Sequence, residues 1–186
     1  MRLILASASP RRAELLKAAG YTFDVAPADV DETPQDGEAP ELYTGRVALD
    51  KARHVSRLNP SKDVAVLAAD TEVFSDGRVL GKPADGRDAA RMLRLLSGQA
   101  HEVITAVVVI LGGVERTSVD RTIVRFTAMT DADIEWYVAS GEPLGKAGGY
   151  AIQGRGARFI DRIEGSWSTV VGLTVHTVHR LLDEVE

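Results

Sequence analysis

The amino-acid sequence predicts a mixed α/β (α+β) fold, a central mixed sheet flanked by helices. Three observations lead there. Short apolar runs alternate with longer amphipathic segments from one end of the chain to the other, the pattern of strands interleaved with helices. The chain has 186 residues, 45% hydrophobic and 26% charged, the balance of one domain able to bury its own core. It contains no cysteine, so neither disulfides nor thiolate-bound metal can stand in for that core. Residues 1–186 are read as a single domain.

Arg2–Ala6 is an apolar run and reads as a buried strand. Ser9 and Pro10 supply an N-cap and a first helical residue, so a helix runs to about Ala19, where Gly20 stops it. Thr22–Ala26 is a second strand. Residues 28–40 mix acids with two prolines and a glycine and read as a loop. Glu41–Leu58 reads as a helix with Leu42, Val47, Ala48 and Val55 on its apolar face; Gly45 weakens it by about 1 kcal/mol relative to alanine. Val64–Ala69 is a buried strand that delivers Asp70 at its C-terminal end. Glu72–Phe74 and Arg78–Leu80 flank Ser75-Asp76-Gly77, a hairpin signal.

Arg87–Leu96 is an amphipathic helix, and Val103–Leu111 and Val119–Phe126 are strands around a Gly112-Gly113 turn. Thr130 caps a helix over Asp131–Ser140. Gly141–Gly156 holds six glycines and a proline and reads as a sixteen-residue loop, a length usually kept for function. Arg158–Ile163 is a strand. Thr169–Glu184 is one closing helix, with Val171, Val175, Val178 and Leu182 along one stripe.

Charge and apolar runs narrow the class of function. Lys and Arg number 22 against 27 Asp and Glu, a net charge of −5, which excludes a chain-wide basic surface for DNA or RNA. Four scattered histidines do not make a His-rich zinc site. Val103–Leu111 is too short to cross a bilayer, and the N-terminal apolar run of about five residues is shorter than the roughly 7–15 of a signal peptide. The expectation is a cytoplasmic protein with a small-molecule partner and no nucleic acid or membrane partner.

Five segments carry chemistry. In Ser7-Ala8-Ser9-Pro10-Arg11-Arg12 a strand gives way at once to a helix, whose free N–H groups and positive dipole end favour an anion. Two arginines in that first turn oppose the dipole unless something negative lies near, and their forked donors match phosphate oxygens. Asp70, at a strand end, can hold Mg²⁺, act as a base toward water, or cap the following turn through Thr71. Asp31-Glu32 offers hard carboxylates of the kind Mg²⁺ takes, or simply a solvated loop.

Only five residues are lysine, against 17 arginines. Lys51 on a helix, Lys82 in Gly81-Lys82-Pro83 and Lys146 in the glycine-rich loop can each meet a phosphate as a point charge, or sit at the surface. There is no GxxxxGK[ST], so a P-loop is excluded. Gly148-Gly149-Tyr150-Ala151-Ile152-Gln153-Gly154 lets a ligand approach the backbone closely, with Gln153 a neutral donor and acceptor suited to a base edge. Together these segments describe a binder of nucleotide phosphate.

LILASASPRRAELL, VDET, RVALDKAR, AADTEV, GKP, MLRLLSGQAHEVITAV, YVASGEPLGKAGGYAIQG and GSWSTVVGL, in this order from Leu3 to about Leu182, resemble the Maf family, the septum-formation-type nucleotide pyrophosphatases. The resemblance implies an inosine triphosphate pyrophosphatase-like fold, an elongated mixed sheet with helices in two lobes around a cleft. It implies hydrolysis of a nucleoside triphosphate to the monophosphate and pyrophosphate with a divalent metal, Mg²⁺ or Mn²⁺. It gives Asp70 the proton of the attacking water, Glu32 a share in the metal, and Lys51 and Lys82 the phosphates, with Ser7, Ser9, Arg11 and Arg12 along the phosphate end. Relatives of this kind suggest a homodimer.

The family divides by base. One branch prefers dTTP and UTP; another prefers 7-methyl-GTP and is similar to this chain in its DVDETP stretch. Arg11, Thr71 and Gln153 stand where the second branch carries an aromatic, Gln and Glu, so they favour the first. Glutamine both donates to and accepts from a pyrimidine edge, whereas a carboxylate only accepts. The alternatives are an inosine-triphosphate-type pyrophosphatase and a nucleotide-binding division regulator without turnover.

Overall fold

A computed structural model describes residues 1–185. In chain order the elements are β1 (Arg2–Leu5), α1 (Pro10–Ala18), β2 (Asp24–Val25), α2 (Pro40–Leu58), β3 (Val64–Ser75), β4 (Arg78–Val79), α3 (Gly86–Leu96), β5 (Ala100–Leu111), β6 (Val114–Phe126), α4 (Asp131–Ala139), β7 (Ile160–Glu164), α5 (Trp167–Val171) and α6 (Val175–Asp183). The strands form one seven-stranded sheet in the order β2-β1-β3-β5-β6-β7, with β4 against β3. It is mixed: β1 runs parallel to β2 and β3, with Leu3 opposite Ala65 and Leu5 opposite Leu67, while β4 on β3 and β7 on β6 are antiparallel. The predicted mixed α/β class holds.

The residues group into two compact units. The first takes Met1–Thr71, Thr105–Asp120 and Gly172–Glu186; the second takes Glu72–Ile104 and Arg121–Val171. The core of the first packs α2 on small and branched strand residues. Ala48, Ala52 and Val55 meet Ile4, Ala6, Val66, Ala68, Ala106 and Val108. Alanines on both sides let the helix lie close to the strands. The second core is aromatic and aliphatic, with Phe126, Tyr137, Tyr150 and Phe159 around Leu93, Leu96 and Ile134.

Several expectations need correction. Asp70 does not end a strand: β3 continues to Ser75, so Asp70 lies mid-strand, while the hairpin turns at Asp76-Gly77 where it was expected, with Phe74 opposite Val79 and Leu80 N–H bonded to the Val73 carbonyl at 2.7 Å. Leu42 is exposed rather than on the apolar face of α2, whose buried residues begin at Tyr43 and Thr44. The segment 141–156 is not open loop throughout: Ala147–Gly149 and Arg155–Phe159 form 3₁₀ turns, the second displacing the start of β7 to Ile160. The single closing helix is two helices. Gly172 adopts φ +120°, which an L side chain rarely tolerates, and ends α5 before α6 begins.

Candidate active site

In the first unit, α2 presents Lys51 from the same stripe that buries Val47, Ala48, Ala52 and Val55. A lysine at that spacing points where the core lies, so its charge needs partners. It has two. Lys51 Nζ donates to Asp70 Oδ1 at 2.7 Å and lies 2.6 Å from Glu32 Oε1. The side chains of Lys51 and Asp70 are 9% and 7% exposed, whereas Glu32 is 42% exposed. Asp70 Oδ2 is buried without a hydrogen-bond partner.

Side chains of α2 shape the acidic loop that delivers Glu32. Tyr43 Oη donates to the Glu32 carbonyl at 2.8 Å. Arg46 holds the Glu38 carboxylate with two nitrogens, at 2.7 and 2.8 Å, and donates to the Thr33 carbonyl at 3.0 Å. The Thr33 side chain, with the Thr33 N–H that Asp31 Oδ1 accepts at 2.9 Å, holds the Asp31 carboxyl below the usual range.

Beside β3, Arg12 gathers the N-terminal segment. Its Nε donates to the Gly172 carbonyl at 2.7 Å, Nη1 to Ser7 Oγ at 3.1 Å and Nη2 to Thr71 Oγ1 at 3.2 Å. Ser7 is buried, and its Oγ also accepts the Ser9 N–H. Ser9 takes the N-cap position of α1 without a side-chain cap bond, and Arg11 lies partly buried in the first turn, which carries no acid. Thr71 Oγ1 meets Thr105 Oγ1 at 2.9 Å. Ser7, Arg12 and Thr71 are thus joined, as are Glu32, Lys51 and Asp70.

Lys82 and Gln153 belong to the second unit, and both are exposed. The glycine-rich segment is fastened to the turn bearing Lys82. Gly148, at φ +69°, donates its N–H to the carbonyls of Leu80 and Gly81 at 2.7 and 3.1 Å. A Cβ there would press on Val73 at 3.0 Å, so glycine is required twice over.

Glu142, which the sequence did not single out, organises the stretch around Gln153. Its carboxylate accepts Tyr137 Oη and the N–H groups of Arg155 and Gly156 at 2.8, 3.0 and 3.1 Å. Burial pushes its carboxyl up, but these donors and Lys146 outweigh that and hold it below its ordinary value. Tyr137 Oη in turn accepts the Ala151 N–H at 3.0 Å. His101 is also new: its Nε2 meets Tyr150 Oη at 2.8 Å, Nδ1 is buried without a partner, and burial lowers its pKa to about 4. Burial likewise raises that of Tyr150. Glu142 follows a glycine and precedes a proline and gives no sequence signal, whereas Thr105, a hydroxyl that interrupts the apolar run Val103–Leu111, does.

Two carboxylates on one ammonium, one of them with an open oxygen, are a hard-donor set that fits a divalent cation of the Mg²⁺ class. Among the described residues no group of three or more metal-ligating side chains is gathered, so substrate oxygens and water would complete such a shell. No helix among these residues is long and apolar enough to cross a membrane.

The profile of the Maf-like protein family matches residues 2–185. The chain belongs to the Maf family. Relatives of this Maf chain include a dTTP/UTP pyrophosphatase of Anaeromyxobacter dehalogenans (strain 2CP-C), 52% identical over 97% of this chain and 92% of the relative. Another, a dTTP/UTP pyrophosphatase of Shewanella oneidensis, is 46% identical over 99% and 98%. Among solved structures, a nucleoside-triphosphatase (dITP/XTP pyrophosphatase) of Mycobacterium abscessus covers 97% of the Maf chain and 90% of its own, at 19% identity and a TM-score of 0.48.

Proposed function

We propose that this Maf chain hydrolyses dTTP and UTP to the nucleoside monophosphate and pyrophosphate. The observation that carries the reading is the Glu32–Lys51–Asp70 cluster, two carboxylates on a buried ammonium with Asp70 Oδ2 left open. Relatives at 52% and 46% identity that are named for dTTP and UTP support the base preference.

In this reading Asp70 Oδ2 takes the proton of the water that attacks the α-phosphorus, and pyrophosphate leaves. Glu32 and Asp70 would hold the divalent cation, Mg²⁺ or Mn²⁺, which when bound withdraws charge from the phosphates. Lys51 and Lys82 place positive charge where the leaving group gains negative charge. Ser7, Ser9 and Arg11 line the phosphate end at the start of α1, with Arg12 holding Ser7 and Thr71 in place. Gln153 reads the pyrimidine edge through its amide, which both donates and accepts. A cytoplasmic house-cleaning role linked to septum formation accompanies the reading.

The test is a substrate panel. Purified protein with Mg²⁺ or Mn²⁺ is given dTTP, UTP, CTP, ITP, GTP and 7-methyl-GTP, and pyrophosphate is assayed apart from orthophosphate. Pyrophosphate chiefly from dTTP and UTP is expected. Preference for 7-methyl-GTP or ITP overturns the base assignment, and binding without product overturns the hydrolase reading.

A further inference from the structure

We infer that Lys51 is a counter-ion lock. In the free protein its ammonium neutralises the two carboxylates that a divalent cation would need, and the pair becomes available only when a triphosphate draws Lys51 away. For the identity of the triphosphate the inference rests on the proposed pyrophosphatase reading; the lock itself rests on the cluster.

Three observations carry it. Lys51 Nζ engages both acids at once, at 2.6 and 2.7 Å, so neither carboxylate is spare. Lys51 and Asp70 are both more than nine-tenths buried, so their attraction is little screened by water. The only unengaged oxygen on Asp70 is Oδ2. A cation arriving there meets a like charge on the other oxygen of the same carboxylate, a cost of several-fold to many-fold in affinity. A triphosphate is a competing partner for the ammonium, because a lysine binds phosphate as a point charge and has three donors to redirect.

The partners differ in how they can respond. Asp70 is fixed in β3, whereas Glu32 stands on the acidic loop and is 42% exposed. The exchange therefore breaks the Lys51–Glu32 contact first. Metal and substrate then bind with positive linkage: the free protein holds the cation poorly, and the nucleotide provides the opening.

The experiment measures Mn²⁺ binding to the whole protein without nucleotide, by the electron paramagnetic resonance of free Mn²⁺. Wild type is expected to bind weakly. Lys51→Gln is expected to bind one Mn²⁺ about tenfold tighter or more, as removal of a neighbouring unit charge requires. Lys51→Arg, which keeps the charge, should stay as weak as wild type, and Lys51→Gln with Glu32→Gln should lose the gain. Equal affinity in wild type and a folded Lys51→Gln overturns the lock. So does tighter binding by Lys51→Arg, or micromolar binding by wild type alone, and both of these readouts stand even if Lys51→Gln does not fold. Failure of wild type to release pyrophosphate from any nucleotide would overturn the functional reading and leave the Mn²⁺ series intact.

Discussion

Arg12 and Gly172 are 160 positions apart in the chain and share a 2.7 Å hydrogen bond from Nε to the carbonyl oxygen. The same guanidinium reaches Ser7 and Thr71, so one side chain ties the start of α1, the middle of β3 and the break before α6. Arg12→Ala removes all three bonds and leaves their acceptors to water. It is expected to cost about 2 kcal/mol, a fall in Tm of roughly 4–8 °C for a chain of this size. Arg12→Lys cannot reproduce the fork and should recover less than half of that. Differential scanning calorimetry of the two variants checks it; an unchanged Tm for both would show that the three bonds contribute nothing net.

His101 makes stability depend on pH. Its pKa is about 4 in the fold and 6.5 in the unfolded chain, so the unfolded state takes up a proton first as pH falls. The stability it contributes is whole above pH 6.5 and is lost on acidification through about pH 4, roughly 3 kcal/mol in all. Urea midpoints between pH 7 and pH 5 should fall more steeply for wild type than for His101→Gln. Parallel slopes would remove His101 as the cause.

Replacing Glu142 by glutamine changes one acceptor oxygen into a donor. Three donors converge on that carboxylate, so an N–H of Arg155 or Gly156 would then face an N–H. A loss of about 2 kcal/mol is expected. If the stretch around Gln153 reads the base, KM for dTTP should rise while kcat changes less. A rise in neither the urea sensitivity nor KM would show that the three bonds do not hold that stretch.

Asp70→Asn keeps the shape of the side chain but removes the group that the proposed mechanism uses as its base. A fall in kcat of about 10²-fold or more is expected, with nucleotide binding retained. Near-normal turnover in a steady-state assay would take Asp70 out of the chemistry.

Much of this was legible in residue order. Alternating apolar runs located most strands, and Thr130 with Asp133 forms a full capping box where a cap was expected. Lys51, Glu32 and Asp70 were legible as candidates, but the bridge that Lys51 makes between the two carboxylates was not, because it depends on how a helix and a loop distant in sequence fold back on β3. Gly172 escaped notice for a related reason. It interrupts an otherwise good helical stripe, and at the break its carbonyl accepts from Arg12 and Thr71, partners far away in sequence. Glu142 serves backbone N–H groups thirteen and fourteen residues on, which no local pattern announces.

The first unit draws its last piece from Gly172–Glu186, after the chain has already passed through Glu72–Ile104 and Arg121–Val171. During synthesis, therefore, the lysine and both carboxylates leave the ribosome long before the segment that completes their half of the molecule. Until that segment emerges, Arg12 lacks the Gly172 carbonyl and the buried residues of α6, Val178, Leu181 and Leu182, are not yet there to pack. A product broken off before residue 172 would keep every acid and base named here and still expose apolar surface, a form that chaperones and proteases would meet before any nucleotide did.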